Sequence, residues 1–105
     1  MKVSDADLIE IATEFRAGIL DGGPSDWMCA DVSWPLASLL SAIYGVECET
    51  VETDLGECNH IWIKLADGRA LDPTADQFNR WFPRKAYPPV YLGCPTELHG
   101  ATKAR

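Results

Sequence analysis

The twenty residues from Asn59 to Phe78, NHIWIKLADGRALDPTADQF, constrain this chain more than any other stretch. Ile61, Ile63 and Leu65 alternate with His60, Trp62 and Lys64, the period-two pattern of a strand with two unlike faces. Asp67-Gly68 predicts a two-residue hairpin turn, because glycine accepts the positive φ such turns require. In that register Ala66 stands opposite Arg69. Arg69 to Asp72 returns as the partner strand, and Pro73, with no N–H to give a ladder, stops it. Asp72 then lies near His60 on an adjacent strand, within reach for a carboxylate to orient an imidazole.

The rest of the chain supplies layers for this hairpin. Ser4, with Asp7 three residues on, reads as a capping box opening a first helix. Leu8, Ile11, Ala12, Phe15 and Ile19 give that helix one apolar face, and Asp21-Gly22-Gly23-Pro24 ends it. It reads as a packing helix without chemistry. Val32, Leu36, Leu39, Leu40 and Ile43 mark a second, more central helix closed by Gly45. Pro35 leaves two versions open: a helix from about Asp26 that kinks at Pro35, or a short turn carrying Cys29 before a helix that begins at Pro35. Both put Cys29 at or near a helix N-terminus.

Val46 to Asp54 reads as a strand with one wet face, Leu55-Gly56-Glu57 as a turn, and Pro73 to Phe78 as a single helical turn. Residues 79–89 read as an ordered loop, Val90 to Leu92 as a last short strand, and the segment from Glu97 as a frayed tail. The expected fold class is α+β: two helices packed on a small antiparallel sheet, in one domain over residues 1–105.

Charge narrows the partners. The net charge of −7 opposes nucleic acid or an anionic membrane as the main partner. It is uneven: residues 1–57 carry twelve acids and two bases, residues 58–105 four acids and seven bases. No stretch approaches membrane-spanning length, and the N-terminal segment lacks a signal-peptide pattern, so the expectation is a cytoplasmic protein or an effector delivered elsewhere. In a reducing compartment Cys29, Cys48, Cys58 and Cys94 are expected to be free, catalytic or metal-bound.

Cys29, His60 and Asp72 form a candidate nucleophile, base and orienting acid. A thiol of ordinary pKa, about 8.5, is mostly protonated at neutral pH; a helix N-terminus and an adjacent imidazolium both favour its thiolate. His60 would take the Cys29 proton and return it to a leaving group, while Asp72 fixes the imidazole tautomer. Trp27 and Trp62 are candidate walls of the site. Gln77 is a candidate substrate or oxyanion contact, or else a cap for the turn after Pro73. This chemistry needs no cofactor and no metal, and suits a protein or small amide substrate. Two other readings stand beside it: a zinc site from Cys48, Cys58, His60 and Cys94, weakened by the missing C-x2-C pairs, and a binding module whose groove is lined by Trp27, Trp34, Trp62 and Trp81.

Taken together, Cys29-x3-Ser33, His60-x-Trp62 and the run Leu71-Asp72-Pro73-Thr74-Ala75-Asp76-Gln77-Phe78 resemble the papain-like and transglutaminase-like cysteine hydrolases, especially small bacterial and phage-associated members and papain-fold glutamine deamidases. The resemblance spans about half the chain. It implies Cys29 as nucleophile, His60 as general base and Asp72 as the third member. The chain departs from the papain pattern in having no Gln just before Cys29, which leaves the oxyanion to backbone N–H groups.

Overall fold

A computed structural model of the chain describes residues 3–56, 58–79 and 87–100. Two helices and a four-stranded antiparallel sheet are present: α1 (Asp5–Leu20), α2 (Cys29–Ala42), β1 (Cys48–Asp54), β2 (Asn59–Leu65), β3 (Ala70–Asp72) and β4 (Tyr91–Gly93). The sheet order is β1-β2-β3-β4, a simple meander. Two 3-10 turns, Ala75–Phe78 and Glu97–His99, flank β4 in sequence. Among the described residues no helix is long and apolar enough to cross a membrane.

Ser4 caps α1 as its spacing predicts, its hydroxyl accepting the Asp7 N–H while the Asp7 carboxylate accepts the Ser4 N–H. Leu8 and Ala12 bury the face that meets α2 and the sheet, and Ile19 stays exposed. α2 begins at Cys29 rather than Asp26. Trp27 holds φ +64, which no helix tolerates, so regular geometry starts two residues later. Pro35 lies inside α2 and withholds the N–H that Asp31 would otherwise receive, yet the helix continues to Ala42. Val32, Leu36, Ala37 and Leu40 are its buried face; Ile43, grouped with that face by spacing, is exposed at the C-cap.

The central hairpin differs from its expected register by one residue. Ile63 pairs Leu71 and Lys64 pairs Ala70, while the Leu65 N–H bonds the Arg69 carbonyl. The loop is therefore three residues, Ala66-Asp67-Gly68, with Gly68 at φ +91. This is the three-residue connection in which a left-handed glycine takes up the extra residue. The consequence reaches the site. A two-residue turn would set Asp72 opposite Ile63, on the face of the apolar core; the observed register, continued one step, sets it opposite Trp62, on the face of His60.

Ile63, Leu65 and Leu71 meet Leu8, Ala12, Leu36 and Leu40 in one apolar core between sheet and helices. The opposite face is covered by Phe78, Ala75, Tyr87 and Leu98, the last from the Glu97–His99 turn. That turn overturns the reading of a frayed tail. Thr96 caps it, Leu98 and His99 are buried, and Gly100 closes it at φ +77 against Thr53. Of the loop over 79–89, residues 80–86 lie outside the described part, as does Trp81; its ends are joined by Asn79, whose side chain donates to the Tyr87 carbonyl and accepts the Tyr87 N–H.

Candidate active site

β3 is three residues long, and what it leaves unpaired makes the site. In β2 the main-chain groups of Leu65 point to the β3 side, and by antiparallel alternation so do those of Ile63 and Ile61. The residue opposite Ile61 would be Pro73, which has no N–H and turns the chain away. Ile61 is thus a gap in the ladder, and the first turn of α2 fills it. The Ser33 hydroxyl donates to the Ile61 carbonyl at 3.1 Å, and the Ile61 N–H stabilises the Cys29 sulfur. Cys29 therefore approaches at a sheet edge, while the His60 side chain belongs to the face away from the helices. They meet because the edge is open there.

Asp72 is fully buried and its carboxylate accepts three hydrogen bonds. Oδ1 accepts the Thr74 N–H at 3.1 Å, and Oδ2 accepts Nε2–H from His60 at 2.6 Å and from His99 at 2.8 Å. Burial pushes the Asp72 pKa up, but the two imidazole donors outweigh it and hold the pKa below the usual carboxylate range. The carboxylate is ionised, so the proton of the short His60–Asp72 bond belongs to His60 Nε2. The other His60 nitrogen, Nδ1, is buried without a hydrogen-bond partner among the described residues. Cys29 lies beside the His60 ring, close enough for each group to shift the other although no aligned hydrogen bond joins them. Catalytic hydrogen bonds are often loose before substrate arrives.

The shifts run toward a thiolate and an imidazolium. Burial opposes charge on His60, but its hydrogen bond to Asp72 and the nearby Cys29 sulfur raise the pKa to about 9. Burial likewise opposes the Cys29 thiolate, and His60, the Ile61 amide and the Ala30 amide together bring its pKa below that of an ordinary thiol.

The loop before Cys29 is held by groups from three elements. Ser25 is buried and donates to Asp76 Oδ1 at 2.8 Å. Arg16 of α1 binds both Asp76 oxygens and donates to the carbonyls of Pro73 and Pro89. Helix α1, read as packing alone, thus carries the cation that ties the Pro73 turn to the Cys29 loop. The signal was present: Arg16 continues the buried Leu8–Ala12 row at the next i+4 position and is one of two bases in residues 1–57. Gln77 spans the same junction. Its Nε2 donates to Thr74, and its Oε1 accepts the Trp27 N–H at 3.1 Å. Both ends of the amide are engaged, which suits the turn-capping reading of Gln77 and leaves no donor for an oxyanion.

A cavity of about 100 Å³ opens beside Cys29, lined by Asp26, Trp27, Cys58, Asn59, Gln77 and Phe78. Trp27 is 71% exposed and forms its outer wall. Trp62 does not line it. It is buried on the far face, donating to Thr53 Oγ1 and packing its ring 4.8 Å from His99. Trp34 is exposed on α2, away from this cavity.

The four proposed zinc ligands do not assemble. Cys48 pairs Leu65 at one end of the β1–β2 ladder, and His60 pairs Thr53 five residues along, roughly 17 Å away at ~3.4 Å per residue. The one cluster of metal-ligating type among the described residues is His60, Asp72 and His99. Its facing nitrogens carry the protons they give Asp72, so it is closed as a hydrogen-bonded set. His99, assigned to a tail from its position in the chain, is the residue the sequence reading missed. Its signal was Thr96-x-x-His99, a cap spacing around the apolar Leu98.

No protein-family model matches this chain, and no match was found among curated proteins or among solved structures.

Proposed function

We propose that this protein is a cysteine hydrolase or acyltransferase acting at amide bonds through a thioester on Cys29. One observation carries the reading: a half-buried thiol in the first turn of α2, beside the ring of a buried His60 whose Nδ1 is unbonded and whose Nε2–H is held by an ionised Asp72. The order of parts resembles a papain-like or transglutaminase-like core, with helix-borne Cys followed by strand His and next-strand Asp.

In this mechanism His60 Nδ1 takes the Cys29 proton. The sulfur lone pair attacks the substrate carbonyl carbon, and the carbonyl π electrons move to oxygen. Backbone N–H groups of Cys29 and, once the sulfur's charge has passed to the carbonyl, of Ala30 are the oxyanion donors, since no side chain caps the start of α2 and first-turn amides have no helical acceptor. The C–N bond breaks, and the leaving nitrogen takes the proton from Nδ1. Water, or an acceptor amine, then attacks the thioester, gives its proton to Nδ1 and expels the thiolate. Asp72 keeps its place at Nε2 throughout. The small cavity beside Cys29 favours a primary carboxamide or a protruding side chain over a long peptide in a cleft.

The test is Cys29 alkylation by iodoacetamide as a function of pH, in the natural protein and in His60→Ala. Rapid reaction well below pH 8 that is lost in the variant supports the assignment. A rate that follows an ordinary thiol titration in both proteins overturns it, and points to a binding module on the same fold.

A further inference from the structure

His99 donates to the same carboxylate oxygen as His60, and the mechanism above makes no use of it. Its environment leaves one tautomer. The Thr96 backbone N–H, which cannot act as an acceptor, donates to His99 Nδ1 at 2.9 Å. Nδ1 therefore carries no proton, and the ring's proton is on Nε2, 2.8 Å from Asp72 Oδ2. Trp62 and Tyr91 hold the ring in position, with centroids 4.8 and 5.6 Å away. A buried imidazole fixed on every side has a defined orientation and a defined donor.

Resting on the proposed role of Cys29 and His60, we propose that His99 is a positioning residue of that site: by sharing Asp72 Oδ2 with His60, it limits how strongly the carboxylate holds the His60 Nε2 proton, so that His60 both takes and releases a second proton, at Nδ1, during turnover. The physical reason is competition for one oxygen. An ionised carboxylate with fewer donors is a stronger base. In this buried site it would draw the Nε2 proton closer and keep His60 charged, which helps form the thiolate but hinders return of the Nδ1 proton to the leaving nitrogen. A second fixed N–H withdraws part of that charge. The titratable groups facing this cluster are Cys29 from α2, His60 from β2, Asp72 from β3, and Tyr91 from β4, which stacks on His99; Arg16 and Asp76 lie beyond Pro73 and bind each other. Of the titratable groups among the described residues, His60 and His99 are the ones that act on the Asp72 carboxylate.

The experiment is an NMR titration of the His60 ring in the natural protein, His99→Phe and His99→Gln, with Cys29 alkylation measured alongside. Glutamine keeps an N–H at the Nε2 position and an acceptor for Thr96; phenylalanine keeps the shape alone. The expected result is that His60 loses its proton about one pH unit higher in His99→Phe and near the natural value in His99→Gln. A His60 midpoint that is unchanged in His99→Phe, or shifted equally in both variants, overturns the proposal. Should His99→Phe not fold, His99→Met, which also fills the space without an N–H, takes its place: a His60 midpoint about one pH unit above the natural value upholds the proposal, and an unchanged midpoint overturns it. Ordinary-thiol alkylation in the natural protein would remove the catalytic reading separately, because the His60 titration does not depend on Cys29 being reactive.

Discussion

The two faces of this sheet are buried by different physics. On the helix side Leu36, Leu40, Ile63 and Leu71 exclude water as an ordinary apolar core, with Leu8, Ala12 and Leu65 around them. On the other side His60, Asp72, His99 and Thr74 are as deeply buried, and hydrogen bonds replace most of those they give up to water, His60 Nδ1 excepted. The first face tolerates exchange among side chains of similar volume, because burial is non-directional and close to additive. The second is a closed set in which one acceptor serves three donors, so removal of one member strands the others. The proposed reactive site lies where the two meet, at the Ile61 gap.

The sharpest way to break the comparison is Asp72→Ala. It leaves two imidazole N–H groups and the Thr74 amide buried without an acceptor. A loss of roughly 3–5 kcal/mol in urea unfolding is expected, as for a buried ion pair deprived of one partner, together with loss of the acid-side alkylation of Cys29. A loss under 1 kcal/mol would mean that water reaches this face and that the two are not distinct. Leu36→Ala on the helix side is expected to cost about 2–4 kcal/mol. Its signature differs: the folded fraction should keep the natural pH dependence of Cys29 alkylation. A changed profile would show the apolar face to be coupled to the site.

pH separates the faces without mutation. The His60 pKa is raised from 6.5 to about 9 on folding, so its contribution to stability is complete below about pH 6.5 and is lost as pH rises through 9. The Asp72 pKa is lowered, so its contribution is present above about 3.8 and is lost as pH falls. Stability should peak between these limits, and His60→Gln should flatten the alkaline decline seen in urea midpoints; an unchanged decline would assign it to other groups. Arg16→Met is expected to cost about 1–3 kcal/mol, through loss of charge-assisted bonds to Asp76 and the Pro73 and Pro89 carbonyls. It should also slow Cys29 alkylation several-fold, since Ser25 depends on the same Asp76; stability lost with no change in alkylation would confine Arg16 to packing. The smallest effect is expected at the surface, where Arg69→Gln removes exposed pairs with Asp5 and Asp67 and should leave the thermal midpoint within error.

Much of the helix-side face was legible in the chain, because periodicity reports on burial directly. Ser4 and Asp7 marked the start of α1, Leu36 and Leu40 the inner side of α2, and Ile63 and Leu65 the inward side of β2. The other face was legible only as residue types. Cys29, His60 and Asp72 stood out by their chemistry, but His99 and Arg16 act across separations of 27 and 60 residues, to Asp72 and Asp76. Local spacing carries no direct information about such partners.

What the chain by itself determined is the α+β layering and the place where β3 must stop, since proline has no N–H for a ladder and apolar spacing decides which sides face inward. Only the tertiary structure decided the rest: the three-residue turn that sets Asp72 on the face of His60, the seating of α2 in the gap at Ile61, and the second imidazole on one carboxylate. Each depends on register or on long-range closure, where one residue of slip reverses a face and no local preference outweighs the hydrogen bonds at stake.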